Sequence, residues 1–319
     1  MDRARLPAEI ALAANRIKEY VRETPLEFSP WFSAATGARV WMKLENLQLT
    51  GSFKLRGAFN KLLTMSDEER ARGGVAASSG NHGAAIAYAM HKLGVSGVIF
   101  VPEKTSPAKV DSIKRSGGDV RFFGTDGLDT EIHAREYAVE HGMTYLSPYN
   151  DAAVIAGQGS CGVEIARQLP DIDAIYIAVG GGGLLSGVGT ILKTINRDLG
   201  IVCCQPAASA VMTESVRAGK ILALPSQPTL SDGTAGGIEA GAITFEICRQ
   251  ITTDFVTVTE DEIVAAMRAF MDTHHMLIEG AAGVALAGLL AQKDKFADKD
   301  IVVLVCGGNI SRDTLRRVI

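Results

Sequence analysis

The sequence predicts an α/β protein of two lobes built on parallel sheets that are covered on both faces. Three observations carry that expectation. Short β-rich runs alternate with helical runs along most of the chain. Its 319 residues exceed what one core usually organises. Loops rich in glycine and small hydroxyl residues follow several strands, at the ends where open parallel sheets bind ligands.

Taken in order, residues 10–21 carry apolar positions at helical spacing and 40–44 read as a strand. Strands at 74–77, 98–101 and 120–123 lead into helices at 82–93, 107–116 and 128–141. A second series places a helix at 153–169, a strand at 175–179, a helix at 184–195 and strands at 201–204 and 301–305. Helices between short apolar strands imply parallel pairing. The alternation breaks between Gln205 and Thr257, where Pro, Gly and Ser cluster, so irregular, site-building structure is expected there. His274 and His275 on the helix at 263–277 are adjacent and do not share a face as metal ligands would.

Composition narrows the function classes. A net charge of −4 gives no electrostatic footprint for nucleic acid. No apolar run reaches membrane-spanning length and no signal-like segment opens the chain, so a cytoplasmic location is expected. Five cysteines without a C-x-x-C pair suit neither a disulfide framework nor a zinc knuckle.

The chemistry centres on Ser52-Phe53-Lys54-Leu55-Arg56-Gly57-Ala58. Ser52 reads as an N-cap, which puts Lys54 at the positive end of a helix dipole and favours a neutral, nucleophilic amine. In Ser78-Ser79-Gly80-Asn81-His82-Gly83, hydroxyls and free helix N–H groups suit a carboxylate or phosphate, and equally a simple N-cap by Ser79 or Asn81. Gly180-Gly181-Gly182-Gly183-Leu184 lets backbone wrap an anion. It does not match the dinucleotide pattern, and Arg56 stands where a Walker pattern begun at Gly51 needs its second glycine, which leaves a cradle for one phosphate monoester. Cys306-Gly307-Gly308-Asn309 puts a thiol after the last strand. A nucleophilic lysine, a monophosphate cradle and a neutral partner for a ring nitrogen describe a pyridoxal 5'-phosphate site.

These motifs, with Ala153-Val154-Ile155-Ala156-Gly157-Gln158-Gly159, occur in the order and spacing of a known family. From about Thr24 onward the chain resembles the threonine/serine dehydratases (threonine ammonia-lyases) among the tryptophan-synthase-β-like, fold type II, pyridoxal-phosphate enzymes, a class that includes serine racemase. The resemblance implies two domains with the cofactor in the cleft between them: a large one from 1–70 and 148–319, and a small mobile one from 71–147. It implies that Lys54 forms the Schiff base, Phe53 packs on the ring and Asn81 bonds the 3-hydroxyl. Gly180, Gly181, Gly182, Gly183 and Leu184 would hold the phosphate, with Cys306 facing the pyridine nitrogen. Ser78, Ser79, Gly80, Asn81 and His82 would hold the substrate carboxylate. The implied reaction is loss of water from a 3-hydroxy amino acid, giving a 2-oxo acid and ammonia. Racemisation is the alternative, with Lys54 and Ser79 serving opposite faces. A homodimer or homotetramer is implied, as is a catabolic role, because no regulatory domain follows residue 319.

Two departures and one match qualify the resemblance. Where relatives carry metal-ligating acids, this chain has neutral Gln205 and aliphatic Val211, with Ser209 between them, which cannot form a hard-cation site, so no metal is expected. Tyr149 replaces the usual phenylalanine or asparagine and either contacts the substrate or packs at the domain junction. Glu279 matches a glutamate near the cofactor in relatives and either orients ring or substrate or caps the next helix.

Overall fold

The computed structural model describes residues 3–319. Ten strands among them are β1 (Leu26–Phe28), β2 (Arg39–Leu44), β3 (Gly74–Ala77), β4 (Gly97–Val101), β5 (Asp119–Phe122), β6 (Thr144–Tyr145), β7 (Ala174–Ala178), β8 (Gly200–Pro206), β9 (Asp254–Val258) and β10 (Asp300–Val305). They form a six-stranded sheet in the order β1-β2-β10-β7-β8-β9 and a four-stranded sheet in the order β5-β4-β3-β6. The smaller sheet uses only chain between Gly74 and Tyr145; the larger draws on the chain on either side.

Every pairing is parallel except β1 on β2. That exception departs from the all-parallel expectation for a physical reason. The helix Pro30–Thr36 and its flanks are too short for the crossover a parallel return requires.

The helix Gly280–Ala291 is apolar all round because it is buried all round. It packs on β7, β8, β9 and β10 on one side and on the helix Glu260–His274 on the other. The helices Ala152–Gln168 and Gly183–Ile195 cover the opposite face with Leu6–Ile17. The irregular stretch is narrower than its composition suggested. Residues 219–242 hold no helix or strand, but the helices Val211–Ala218 and Ile243–Ile251 and strand β9 lie within the predicted break. His274 stacks on Phe270 with centroids 4.4 Å apart, and His275 closes that helix in a left-handed conformation. No described helix is long and apolar enough to cross a membrane.

Candidate active site

The carboxyl ends of β2, β3, β7 and β10 each lead into one of the glycine- or hydroxyl-rich loops, and side-chain contacts bring these loops together. After β2 the chain turns through Gly51, whose φ of +72° favours glycine, and enters the helix Lys54–Thr64. The N-cap of this helix is Phe53, not Ser52. Ser52 is instead drawn into an antiparallel bridge with Gly307, which leaves its buried hydroxyl without a partner. The bridge ties the lysine turn to the cysteine loop.

Lys54 donates from Nζ to the carbonyl of Pro148 at 2.8 Å, and Nζ lies 5.3 Å from the centre of the Phe53 ring. Burial pulls its pKa down to about 8, against the opposing pull of Cys306 and Glu279. At neutral pH a usable fraction of the amine is therefore free.

The helix under Lys54 is held in two ways. Gly57 and Gly157 let the helix Ala152–Gln168 approach so closely that a β-carbon on Gly157 would lie 2.5 Å from the Arg56 carbonyl oxygen. Gln158 accepts from the Gly57 amide at 3.2 Å. Below, Arg56 is wholly buried and binds Glu45 at 2.7 and 2.9 Å and Glu164 at 2.6 and 2.8 Å. Lys43, also buried, binds Glu164 at 2.7 Å. Two cations and two anions thus balance in the interior. Burial alone would raise the Glu45 pKa, but the Arg56 charge outweighs it and holds the group below its ordinary value.

The helix Asn81–Leu93 begins after Gly80, and the helix Gly183–Ile195 after Gly182, which has a φ of +84°. Neither has a side-chain cap, unlike the helices that follow Ser66, Asp126, Asp151, Thr259 and Ser311. Their first-turn N–H groups are open to an anion. The alternative of a simple N-cap by Ser79 or Asn81 is therefore not met. The four glycines are required by crowding. A β-carbon would lie 3.0 Å from Thr234 on Gly180, 2.4 Å from the Tyr149 ring on Gly181 and 2.8 Å from Cys248 Sγ on Gly182. Leu184 is buried in the first turn.

Asn81 Nδ2 lies 2.9 Å from both carboxylate oxygens of Glu279, and Asn309 Nδ2 donates to Asn81 Oδ1 at 2.7 Å. Cys306 sits 3.8 Å from Glu279 Oε1, and burial keeps its thiol protonated. Ser78 Oγ accepts from the Gly80 amide at 3.2 Å, and Ser79 is partly exposed beside it. His82 faces away from these groups. Its buried Nε2 lies 2.8 Å from the Leu146 carbonyl, and burial, reinforced by the Lys54 charge, lowers its pKa to about 3. The imidazole is a neutral strut to the residue that follows β6, which leaves the backbone of His82 for any ligand.

The Tyr149 ring packs on Gly181, its β-carbon and backbone lie against Gly183, and its hydroxyl accepts from the Glu239 amide at 2.9 Å. Gln205, buried where relatives are expected to carry a metal ligand, spends its amide internally. It donates to Val179 O at 2.9 Å and accepts from the amide and hydroxyl of Thr213 at 2.8 Å each. These residues do not fit a hard cation, and among the described residues no cluster of His, Cys, Asp and Glu could hold one.

Comparison with known proteins decides what the site belongs to. The family model described as pyridoxal-phosphate dependent enzyme matches residues 17–307. The chain belongs to that family. Similar proteins include an L-threonine ammonia-lyase of Thermotoga maritima, 35% identical over 98% of this chain and 77% of its own length. Among solved structures, the processed threonine deaminase isoform 2 of Solanum lycopersicum superposes with a TM-score of 0.93 at 34% identity. It covers 98% of this chain and 92% of its own. Maize serine racemase gives 0.92 at 32% identity over 97% and 95%.

The groups of this pyridoxal-phosphate enzyme fit the cofactor on the observations above. They offer an amine with a lowered pKa, a glycine-lined cradle whose helix N–H groups are uncapped and whose neighbours leave no room for side chains, and the orphaned, buried Ser52 hydroxyl two residues from that amine. Sequence reasoning assigned no role to Asn309 or to the Gly57–Gly157 contact. Both lay inside quoted motifs, and the signal available was their place there.

Proposed function

We propose that this protein removes water from a 3-hydroxy amino acid of the threonine or serine type and releases a 2-oxo acid and ammonia. For threonine the products are 2-oxobutanoate and ammonium, and the water lost in elimination is regained on hydrolysis. The observation that carries the reading is Lys54, an amine with a pKa of about 8 at a helix start, bonded to the Pro148 carbonyl next to Tyr149, whose ring packs on Gly181 of the cradle. The similarity to a threonine ammonia-lyase across 98% of the chain supports it.

In this reading Lys54 holds the cofactor aldehyde, the amides of Gly180 to Leu184 hold its phosphate, and Phe53, Asn81 and Cys306 surround its ring. Pyridoxal phosphate, when bound, supplies an electron sink for negative charge at the substrate α-carbon. Lys54, once released, is the base that takes the α-proton at Nζ. The loop from Ser78 to His82 binds the substrate carboxylate through hydroxyls and the open amides of its helix. Cys306 stays a neutral thiol, so the chain places no charged acid on the ring nitrogen, which favours rapid elimination over long-lived charge on the ring. Tyr149, between the phosphate cradle and Glu239, shapes the substrate pocket. The enzyme works as a homodimer or homotetramer in the cytoplasm, and its four-stranded unit moves to close the cleft.

Borohydride reduction of the purified enzyme followed by peptide mass spectrometry tests the first step; a pyridoxyl adduct anywhere but Lys54 refutes it. A 2-oxo acid assay with threonine, serine, phenylserine and 3-hydroxyaspartate tests the reaction, in wild type and in Tyr149→Phe. Substrate ratios unchanged in that variant remove Tyr149 from the pocket. The partly exposed position of Ser79 keeps racemisation as a second reading. Chiral analysis of recovered substrate separates the two.

A further inference from the structure

Glu279 is 7% exposed, and no lysine or arginine forms an ion pair with it among the described residues. A buried carboxyl without a cationic partner is costly to keep. It stands at the N-cap of the helix Gly280–Ala291, yet its side chain accepts nothing from that helix. Capping does not explain it. The carboxylate turns across the crevice instead, taking Asn81 Nδ2 at 2.9 Å on each oxygen and the Asn309 amide at 3.3 Å. Room for it is made by Gly307, where a β-carbon would lie 2.7 Å from Glu279 Oε2.

Asn309 closes the circle. Its Nδ2 donates to Asn81 Oδ1 at 2.7 Å and to the Thr50 carbonyl at 2.9 Å, in the turn that leads to Lys54. Glu279, Asn81 and Asn309 form a closed ring of hydrogen bonds in which every donor meets an acceptor. Turning the Asn81 amide over would set its oxygen against the carboxylate and its nitrogen against the Asn309 amide nitrogen. The ring therefore dictates which atom of Asn81 points where. It also joins Asn81, on the helix after β3 of the four-stranded sheet, to two residues flanking the six-stranded one.

We propose that Glu279 is a positioning residue that acts with Asn309: together they lock the Asn81 amide in one orientation toward the cofactor and pin the two sheet units to each other at that point. The proposal rests on the reading that Asn81 faces the cofactor ring. Burial raises the Glu279 pKa to about 7, which agrees with a carboxyl held by amides and the Cys306 thiol and by no cation.

The test uses holoenzyme carrying Glu279→Gln or Asn309→Ala. Glutamine keeps the shape but must present an N–H to either Asn81 or the Asn309 amide, both of them donors. Each variant should change the ratio of the visible to the near-ultraviolet absorption band of the bound cofactor, in the same direction. Each should lower kcat by roughly tenfold, with a smaller change in KM, as expected for losing one buried charge-assisted contact. Wild-type band ratios in both variants, with kcat within about twofold of wild type, would overturn the proposal. If Glu279→Gln fails to fold, Asn309→Ala decides alone. The band ratio is read without substrate, so it stands apart from the dehydratase reading, which fails only if no 3-hydroxy amino acid yields a 2-oxo acid.

Discussion

Replacing Arg56 by methionine keeps much of its apolar stem and removes the guanidinium two residues beyond Lys54. Glu45, fully buried, then loses both arginine contacts; Thr24 Oγ1 still donates to Oε1, while Oε2 has no other partner among the described residues. Glu164 is better placed, because it keeps Lys43 at 2.7 Å and is partly solvated. The damage therefore concentrates on one stripped carboxylate. Breaking a buried pair from one side costs about 3–5 kcal/mol. In a chain of this size that is a fall in Tm of roughly 4–8 °C. Scanning calorimetry at a fixed scan rate measures it. The pH dependence has a definite sign. In wild type the lowered Glu45 pKa contributes stability that is lost as pH falls through the folded value. In Arg56→Met the stripped carboxyl has a raised pKa, so its contribution is lost as pH rises. The deficit against wild type should shrink between pH 8 and about pH 5. Adding Glu45→Met should recover at least half of the lost Tm. A variant that melts within about 2 °C of wild type, or a double variant less stable than the single, would refute the reasoning.

Two further outcomes are expected. Gly181→Ala puts a β-carbon 2.4 Å from the Tyr149 ring and should weaken cofactor binding by at least about fivefold in a fluorescence titration, an overpacking cost of about 1–3 kcal/mol; Tyr149→Ala in the same chain should restore most of it, and no restoration would mean that the clash lies elsewhere. The folded chain refuses a proton at His82 until about pH 3, whereas the unfolded chain accepts one near pH 6.5. Stability should therefore fall as pH drops from 6.5 toward 3, and His82→Gln should flatten that fall in urea melts; parallel curves would exclude His82 as its source.

The alternation of strands and helices was legible because parallel strands covered on both faces leave continuous apolar runs bounded by glycine, as at 174–178 and 300–305. The antiparallel edge strand β1 was not, since a three-residue edge carries almost no periodic signal. The helix Gly280–Ala291 was legible only as the helix that follows Glu279, without bounds or a face: buried on all sides, it has no polar face to set a period. Lys54, Asn81, the glycine cradle and Cys306 lie in motifs that can be read locally, because each depends on neighbours within a few residues.

What the chain decides without its fold is chemistry of the short range: an amine at a helix start, glycines where side chains cannot fit, and a thiol at a strand end. What only the tertiary structure decides is how those pieces are oriented. Ser52 gives up its expected cap to bridge Gly307, and His82 turns its ring into the core toward Leu146. Arg56, two residues from the lysine, is neutralised by Glu45 and Glu164, the latter 108 positions away. Asn81 meets Glu279 across 198 positions and Asn309 across 228. Contacts at such separations leave no periodicity or spacing in the sequence. They exist only once the two sheets bring their carboxyl ends to one crevice.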